Sequence, residues 1–298
     1  MNKNLNIKLI EEKINNMKDL SGVIRINRAK EVLFEKAYGF ADIPNNRTNN
    51  INTRFGIASG AKLLTAISIC KLVEQGKLKF DSLLKDYLAC DNFDENVTIK
   101  HLLTHTSGLP DYFYEDFTEI STPMYLLKES KDFLPLIINQ KSIFKAGERF
   151  QYNNGAYVIL AYIVEKVSGI KFIDFVQENI FDVLEMNSSG YFSMDMLPKN
   201  YAYGYEENSD GTLKTNIFSI PIVGGGDGGV FVTALPKRLC VSPCFVNTHL
   251  MHPCVSLGTS GLAFLPQTVC SFGSSHPVSF TSLALGQILL VLSERGGP

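Results

Sequence analysis

The sequence predicts an α/β fold of the α+β kind, a sheet domain with a helical domain inserted in it. Three observations carry this. Residues 21–42 show β-branched alternation on both sides of a turn, a central run of segments has helical spacing, and residues 204–234 return to short strands and tight glycine turns. The 298 residues, 45% hydrophobic and 19% charged, suffice for one large globular domain or two small ones. That composition excludes disorder, collagen and coiled coil.

The first strands are read from SGVIRINRAKEVLFEKAYGFAD, residues 21–42, as a hairpin turning near residues 27–30. Residues 58–75 then space apolar side chains helically, at Ala58, Ala61, Leu64, Ile67 or Ile69, Leu72 and Val73, and stop at Gly76. Thr98 is the expected N-cap of a short helix, IKHLLTHTSG, which Gly108 and Pro110 terminate. Helical spacing recurs over 123–141 and 154–168, the second ending at Gly169. No internal repeat is present.

With 28 basic and 30 acidic residues, a net charge of −2 gives no electrostatic footprint for nucleic acid or an anionic membrane surface. The expected partner is a small molecule, with no nucleic acid and no membrane. MNKNLNIKLIEEKINN alternates polar and apolar residues and has no apolar run typical of a secretory signal. Residues 283–292 are too short an apolar run for a bilayer, which needs about 20 residues. The expectation is therefore a cytoplasmic protein whose six cysteines are thiols.

Composition breaks near residue 234. Residues 1–234 hold 54 of the 58 charged side chains and 21 of the 22 asparagines; residues 235–298 hold four of the six cysteines and three of the five histidines. Sixty-four residues with four charges do not readily cover a folded domain with polar groups. Two readings stand for this tail: a linker-like extension, or a segment from another reading frame or gene joined after Ala234. The domain reading is thus residues 1–234, with a helical insertion over about 80–200, followed by an atypical tail over 235–298.

FGIASGAKLLTA, residues 55–66, places Ser59 and Lys62 three apart at a helix start, on one face. A serine hydroxyl attacks a carbonyl only when its proton is removed, and an amine one turn away can take it. That lysine must be neutral, which burial or a neighbouring cation favours. Alone, such a pair is most often a helix cap beside a surface lysine. QYNNG, residues 151–155, adds Tyr152, a phenol able to relay a proton, and Asn154, an amide able to orient a carbonyl or the lysine. Alone, these read as a core tyrosine and a helix cap.

His101 and His105 in HLLTHTSGLPDY, residues 101–112, stand at i, i+4 but lack the intervening Glu of a zinc helix. GGGDGG, residues 224–229, matches G-x-G-x-x-G, yet strand-like VFVTA follows it, so no dinucleotide site is expected. Cys240, Cys244, His249, His252 and Cys254 are spaced loosely like a zinc module with no small folded unit around them. No cofactor and no metal is expected.

Taken together, these segments resemble the serine β-lactamase and penicillin-binding-protein superfamily, on its class C β-lactamase and esterase side. FGIASGAKLLTA resembles the nucleophile helix, HLLTHTSGLPDY a recurrent structural segment, and FQYNNGAYVILAYIVEKVSG the Y-x-N helix. SGVIRINRAKEVLFEKAYGFAD is similar to the opening hairpin, and GGGDGGVFVTA to the glycine-rich strand entry, over about residues 18–234. The resemblance implies an antiparallel sheet flanked by helices. It also implies a serine hydrolase forming an acyl-enzyme on an ester or amide, as esterase or D-amino-acid peptidase. It assigns Ser59 as nucleophile, Lys62 as its base, Tyr152 as second proton carrier and Asn154 as substrate-orienting amide.

The departures are specific. The class A triplet S-D-N and its deacylating Glu are absent. The family's third motif, Lys-Thr-Gly or His-x-Gly, should follow Ala234, and LGTSGLAF at 257–264 keeps a small-residue turn without a cation. The C-terminal part of the sheet is therefore expected to be incomplete, with the hairpin edge unpaired and residues 278–283 the best candidate for a replacement strand. The alternative function is a catalytically incomplete, non-enzymatic or truncated family member lacking that third motif.

Overall fold

A computed structural model describes residues 7–17, 20–28, 31–113, 122–234, 287–292 and 295–296. Helix α1 (Ile7–Asn15) is an element that the N-terminal alternation did not predict. Ile7, Ile10 and Ile14 nevertheless share one helical face, and Ile14 is buried with Ile24 and Ile26 of the following strand. A nine-residue helix is marginal alone, so this packing against the sheet stabilises it.

Strands β1 (Gly22–Arg28) and β2 (Glu31–Tyr38) form the expected hairpin, with Gly22 opposite Tyr38 and an irregularity after Ile26. Arg25 and Glu35 stand opposite each other and form an ion pair. Short β3 (Phe40–Asp42) and β4 (Arg47–Thr48) pair with each other, and β5 (Phe55–Gly56) leads into the helical region.

After a 3₁₀ turn over Ala58–Ala61 comes α2 (Lys62–Glu74), and Gly76, at φ 68°, lies beyond its end. Helix α3 (Ile99–Leu103) starts at Thr98 as expected: the Thr98 hydroxyl accepts from the His101 N–H while His101 Nδ1 accepts from the Thr98 N–H. Segment 123–141 is not one helix. A 3₁₀ turn (Met124–Leu126) precedes α4 (Ser130–Ile138), because Asp132 reaches back to the N–H groups of Lys128 and Glu129 and starts a new helix there.

Helix α5 (Asn154–Ser168) has the expected bounds, capped by Asn153 and closed by Gly169 at φ 80°. It is the axis of the main core: Ala156, Val158, Ile159, Leu160, Ala161, Ile163 and Val164 are all at most 1% exposed. Helices α2, α3 and α4 pack round it, as does α6 (Phe172–Val176), which runs on into a π turn. Cys70 and Cys90 are free thiols, and Cys70 is only partly buried. Among the described residues, no helix is long and apolar enough to cross a membrane.

Beyond the helices lie β6 (Gly190–Tyr191), β7 (Tyr205–Glu207), β8 (Leu213–Thr215) and β9 (Val230–Val232). Strand β9 is central in a three-stranded sheet, flanked by β5 and β6, and Ile57 continues the pairing by donating to the Val230 carbonyl at 3.0 Å. This fixes the chain entering Ser59 against the chain leaving the glycine-rich loop.

The expected bare edge on β1 is occupied. Strand β10 (Gln287–Leu292) pairs antiparallel with it, Gly22 opposite Leu292 and Asn27 opposite Gln287. Strand β11 (Arg295–Gly296) lies parallel beside β7. The last tail proline before this run is Pro277, so QILLVL can extend without losing a ladder donor. The replacement strand expected at 278–283, the tail cysteines and histidines, and LGTSGLAF lie outside the described residues.

Candidate active site

Ser59 sits in the 3₁₀ turn rather than in the first turn of an α-helix. Side chains at i and i+3 eclipse one another in a 3₁₀ turn, which brings Ser59 and Lys62 together more directly than α geometry would. Lys62 Nζ donates to Ser59 Oγ at 3.2 Å. Ala58, just before the serine, has φ 43°, a left-handed conformation that costs energy for a residue with a Cβ. The strained turn from β5 into the helix leaves Ser59 half-buried while Lys62 is only 7% exposed.

Tyr152 Oη donates to the same Ser59 Oγ at 2.8 Å, and Asn154 Oδ1 accepts from Lys62 Nζ at 2.8 Å. All four residues proposed from the sequence therefore meet in one hydrogen-bonded group. The HLLTHTSGLPDY segment holds the Y-x-N stretch in place. Gln151 N–H donates to the His105 carbonyl (2.8 Å), Asn153 N–H to His105 Nδ1 (3.1 Å), and Asn153 Nδ2 to the Leu109 carbonyl (2.8 Å). The His105 ring stacks against Tyr157 at 5.0 Å and lies 4.6 Å from Tyr152.

His101 and His105 do not form the i, i+4 helical pair considered above. Helix α3 ends at Leu103, His105 has φ 57°, and each imidazole Nδ1 accepts a different backbone N–H.

The glycine-rich loop forms another wall. The Asp227 carbonyl accepts from Lys62 Nζ at 2.8 Å, and its carboxylate accepts from Tyr112 Oη at 2.7 Å. Buried Thr65 donates to the Gly226 carbonyl at 2.6 Å. A Cβ on Gly226 would stand 2.2 Å from the Tyr157 carbonyl oxygen, so only glycine allows the loop to rest on the α5 backbone.

Electrostatics follow from burial. Lys62 is brought down to about 8 by loss of water, against the opposing pull of Asp227 and Asp111. At pH 7 about one lysine in ten is then neutral, against one in a few thousand for a free side chain. Burial, followed by the Lys62 charge, holds His105 at about 4, so the imidazole is neutral and able to accept. Burial pushes Tyr112 and Asp227 upward; Lys62 and the Tyr112 hydrogen bond partly offset this for Asp227.

Sequence reasoning found Ser59, Lys62, Tyr152 and Asn154 but missed Asp111, Tyr112 and Asp227 in the surrounding wall. An acid following Leu-Pro in an apolar stretch, and one enclosed by five glycines, were the available signals. The arrangement can present a nucleophilic hydroxyl between an amine and a phenol, both within proton-transfer distance.

The Beta-lactamase family model matches residues 9–235, ending where the composition changes. The crystal structure of a penicillin binding protein from Bacillus halodurans is 47% identical with a TM-score of 0.70, covering 77% of this chain and 69% of that one. Penicillin-binding protein 4* of Bacillus subtilis (strain 168) is 30% identical over 209 residues, 68% of this chain and 46% of the relative. Teichoic acid D-alanine hydrolase of Staphylococcus aureus (strain MRSA252) is 26% identical over 246 residues, 78% of this chain and 58% of the relative. The chain thus spans about half the length of the curated relatives it matches. With the fold, the hydrogen-bonded serine and lysine, and a family match running from α1 to the end of the glycine-rich strand entry, the chain belongs to the Beta-lactamase family.

Proposed function

We propose that this chain is a serine hydrolase that forms an acyl-enzyme on an ester or amide substrate. The observation carrying the reading is that Ser59 Oγ lies 3.2 Å from Lys62 Nζ and 2.8 Å from Tyr152 Oη. Neutral Lys62 accepts the Ser59 proton as the oxygen adds to the carbonyl carbon. Tyr152 then gives its proton to the departing alkoxide or amine as the carbonyl reforms, and recovers one from Lys62. Water releases the acyl group and restores Ser59. Asn154 Oδ1 holds Lys62 in place beside Ser59. The relative named as a teichoic acid D-alanine hydrolase supports an ester or amide of a D-amino acid as the substrate class.

The test is labelling with a fluorophosphonate or a penicillin, read by intact mass and peptide mapping. One equivalent on Ser59, absent from Ser59→Ala, supports the enzyme. The second reading is a member with an incomplete site, favoured by the absence of Lys-Thr-Gly or His-x-Gly after Ala234. By the family resemblance, the strand carrying that motif would also supply the second oxyanion-hole N–H, whose loss typically costs about two to three orders of magnitude in rate, so an unlabelled folded chain supports that reading.

A further inference from the structure

Asp111 touches neither Ser59 nor Lys62, yet it controls the group that does. Its Oδ2 accepts from the Asn154 N–H at 2.7 Å and from Asn154 Nδ2 at 3.2 Å. Its Oδ1 accepts from the N–H groups of Gly155 (3.0 Å), Tyr112 (2.8 Å) and Phe113 (3.3 Å). A carboxylate accepts and an ammonium donates, so the side-chain amide of Asn154 between them has one satisfied orientation. Its nitrogen must face Asp111 and its oxygen must face Lys62. Reversing the amide would set oxygen against oxygen on one side and nitrogen against nitrogen on the other.

We propose that Asp111 is a positioning residue: it fixes the Asn154 amide so that the oxygen holds Lys62 beside Ser59. The inference rests on the roles of Ser59 and Lys62 proposed above. It extends to charge, because the carboxylate favours the protonated lysine across the bridging amide. The groups facing Lys62 are known from each element around it. Asp227 and its carbonyl come from the glycine-rich loop, with Tyr112 behind them. His105, in the segment after α3, feels the Lys62 charge and stays neutral beside it. The Tyr152 ring lies 4.8 Å away and that of Tyr157 5.6 Å away. Asp111 differs from these in acting through an amide whose direction it sets.

Asp111 also satisfies two N–H groups at the start of α5, a role that is purely structural. The experiment must separate the two roles. Fluorophosphonate labelling of Ser59 is timed from pH 6 to 10 in the wild type, Asp111→Asn, Asn154→Leu and the double variant, with thermal melts giving the folded fraction. Positioning requires that Asp111→Asn lower the plateau rate at least about tenfold and move the midpoint to lower pH by roughly one unit. It also requires that Asp111→Asn add no further loss in the Asn154→Leu background, since the amide it orients is gone.

An unchanged midpoint, or losses that multiply in the double variant, would show a helix cap and overturn the proposal. Should Asp111→Asn not fold, Asp111→Ser replaces it, keeping an acceptor without the charge, and is judged by the same two criteria. Failure of the wild type to label at all overturns this inference together with the proposed hydrolase. Labelling of the wild type with a normal Asp111→Asn profile overturns this inference alone.

Discussion

The Tyr112 hydroxyl and the Asp227 carboxylate, 115 positions apart in sequence, meet at 2.7 Å directly behind the carbonyl that holds Lys62. The phenol is 4% exposed, and burial pushes the carboxyl above its ordinary range. Tyr112→Phe keeps the ring against Phe133 but removes the donor that Asp227 relies on. Stability should fall by about 1–3 kcal/mol, the cost of leaving a buried acceptor short of its partner. Ser59 labelling should slow as well, because the displaced loop carries the Lys62 acceptor. Chemical denaturation and labelling of the same preparation check both; unchanged stability would mean that the pair has no energetic role.

Tyr152 is 37% exposed and donates directly to Ser59. Tyr152→Phe retains ring contact with His105 and loses only the hydroxyl. Turnover on an activated ester should fall by roughly two to four orders of magnitude with little change in melting temperature. A variant that loses melting temperature but keeps turnover per folded molecule would return Tyr152 to a packing role.

His105 gives a pH signature in stability rather than in rate. Its folded value of about 4 lies below the unfolded value near 6.5, so the unfolded chain binds the extra proton between them. This contribution is present above about pH 6.5 and is lost progressively as pH falls toward 4, on the order of 3 kcal/mol in all. His105→Gln can still accept from Asn153 but does not titrate there. Its stability should change less than the wild type's between pH 6.5 and 4, and parallel curves would assign the acid loss to other groups.

The legible parts of the site are those separated by three residues or fewer. Ser59 and Lys62 share a face at i, i+3, and Tyr152 and Asn154 stand two apart before a helix that Gly169 ends at its expected place. What stayed hidden depends on contacts across the chain. Asp111 reaches Asn154 over 43 positions, and Asp227 reaches Lys62 over 165. No local period marks such partners. Helix α1 carries helical spacing at Ile7, Ile10 and Ile14, but nine residues are marginal alone, and the surface that stabilises it, Ile24 and Ile26 against Ile14, comes from the next element. Strand β10 escaped because a compositional break said nothing about which short run could pair with β1.

The central claim is that Lys62, in its neutral form, activates Ser59. Its most direct test is the rate of fluorophosphonate labelling of Ser59 between pH 6 and 10. The rate should rise about tenfold per pH unit at low pH and level off above about pH 8, where burial leaves the amine mostly neutral. Lys62→Ala should abolish the rise and the labelling, and Ser59→Ala should take up no label. A rate independent of pH through this range, or full labelling of Lys62→Ala, would contradict the account.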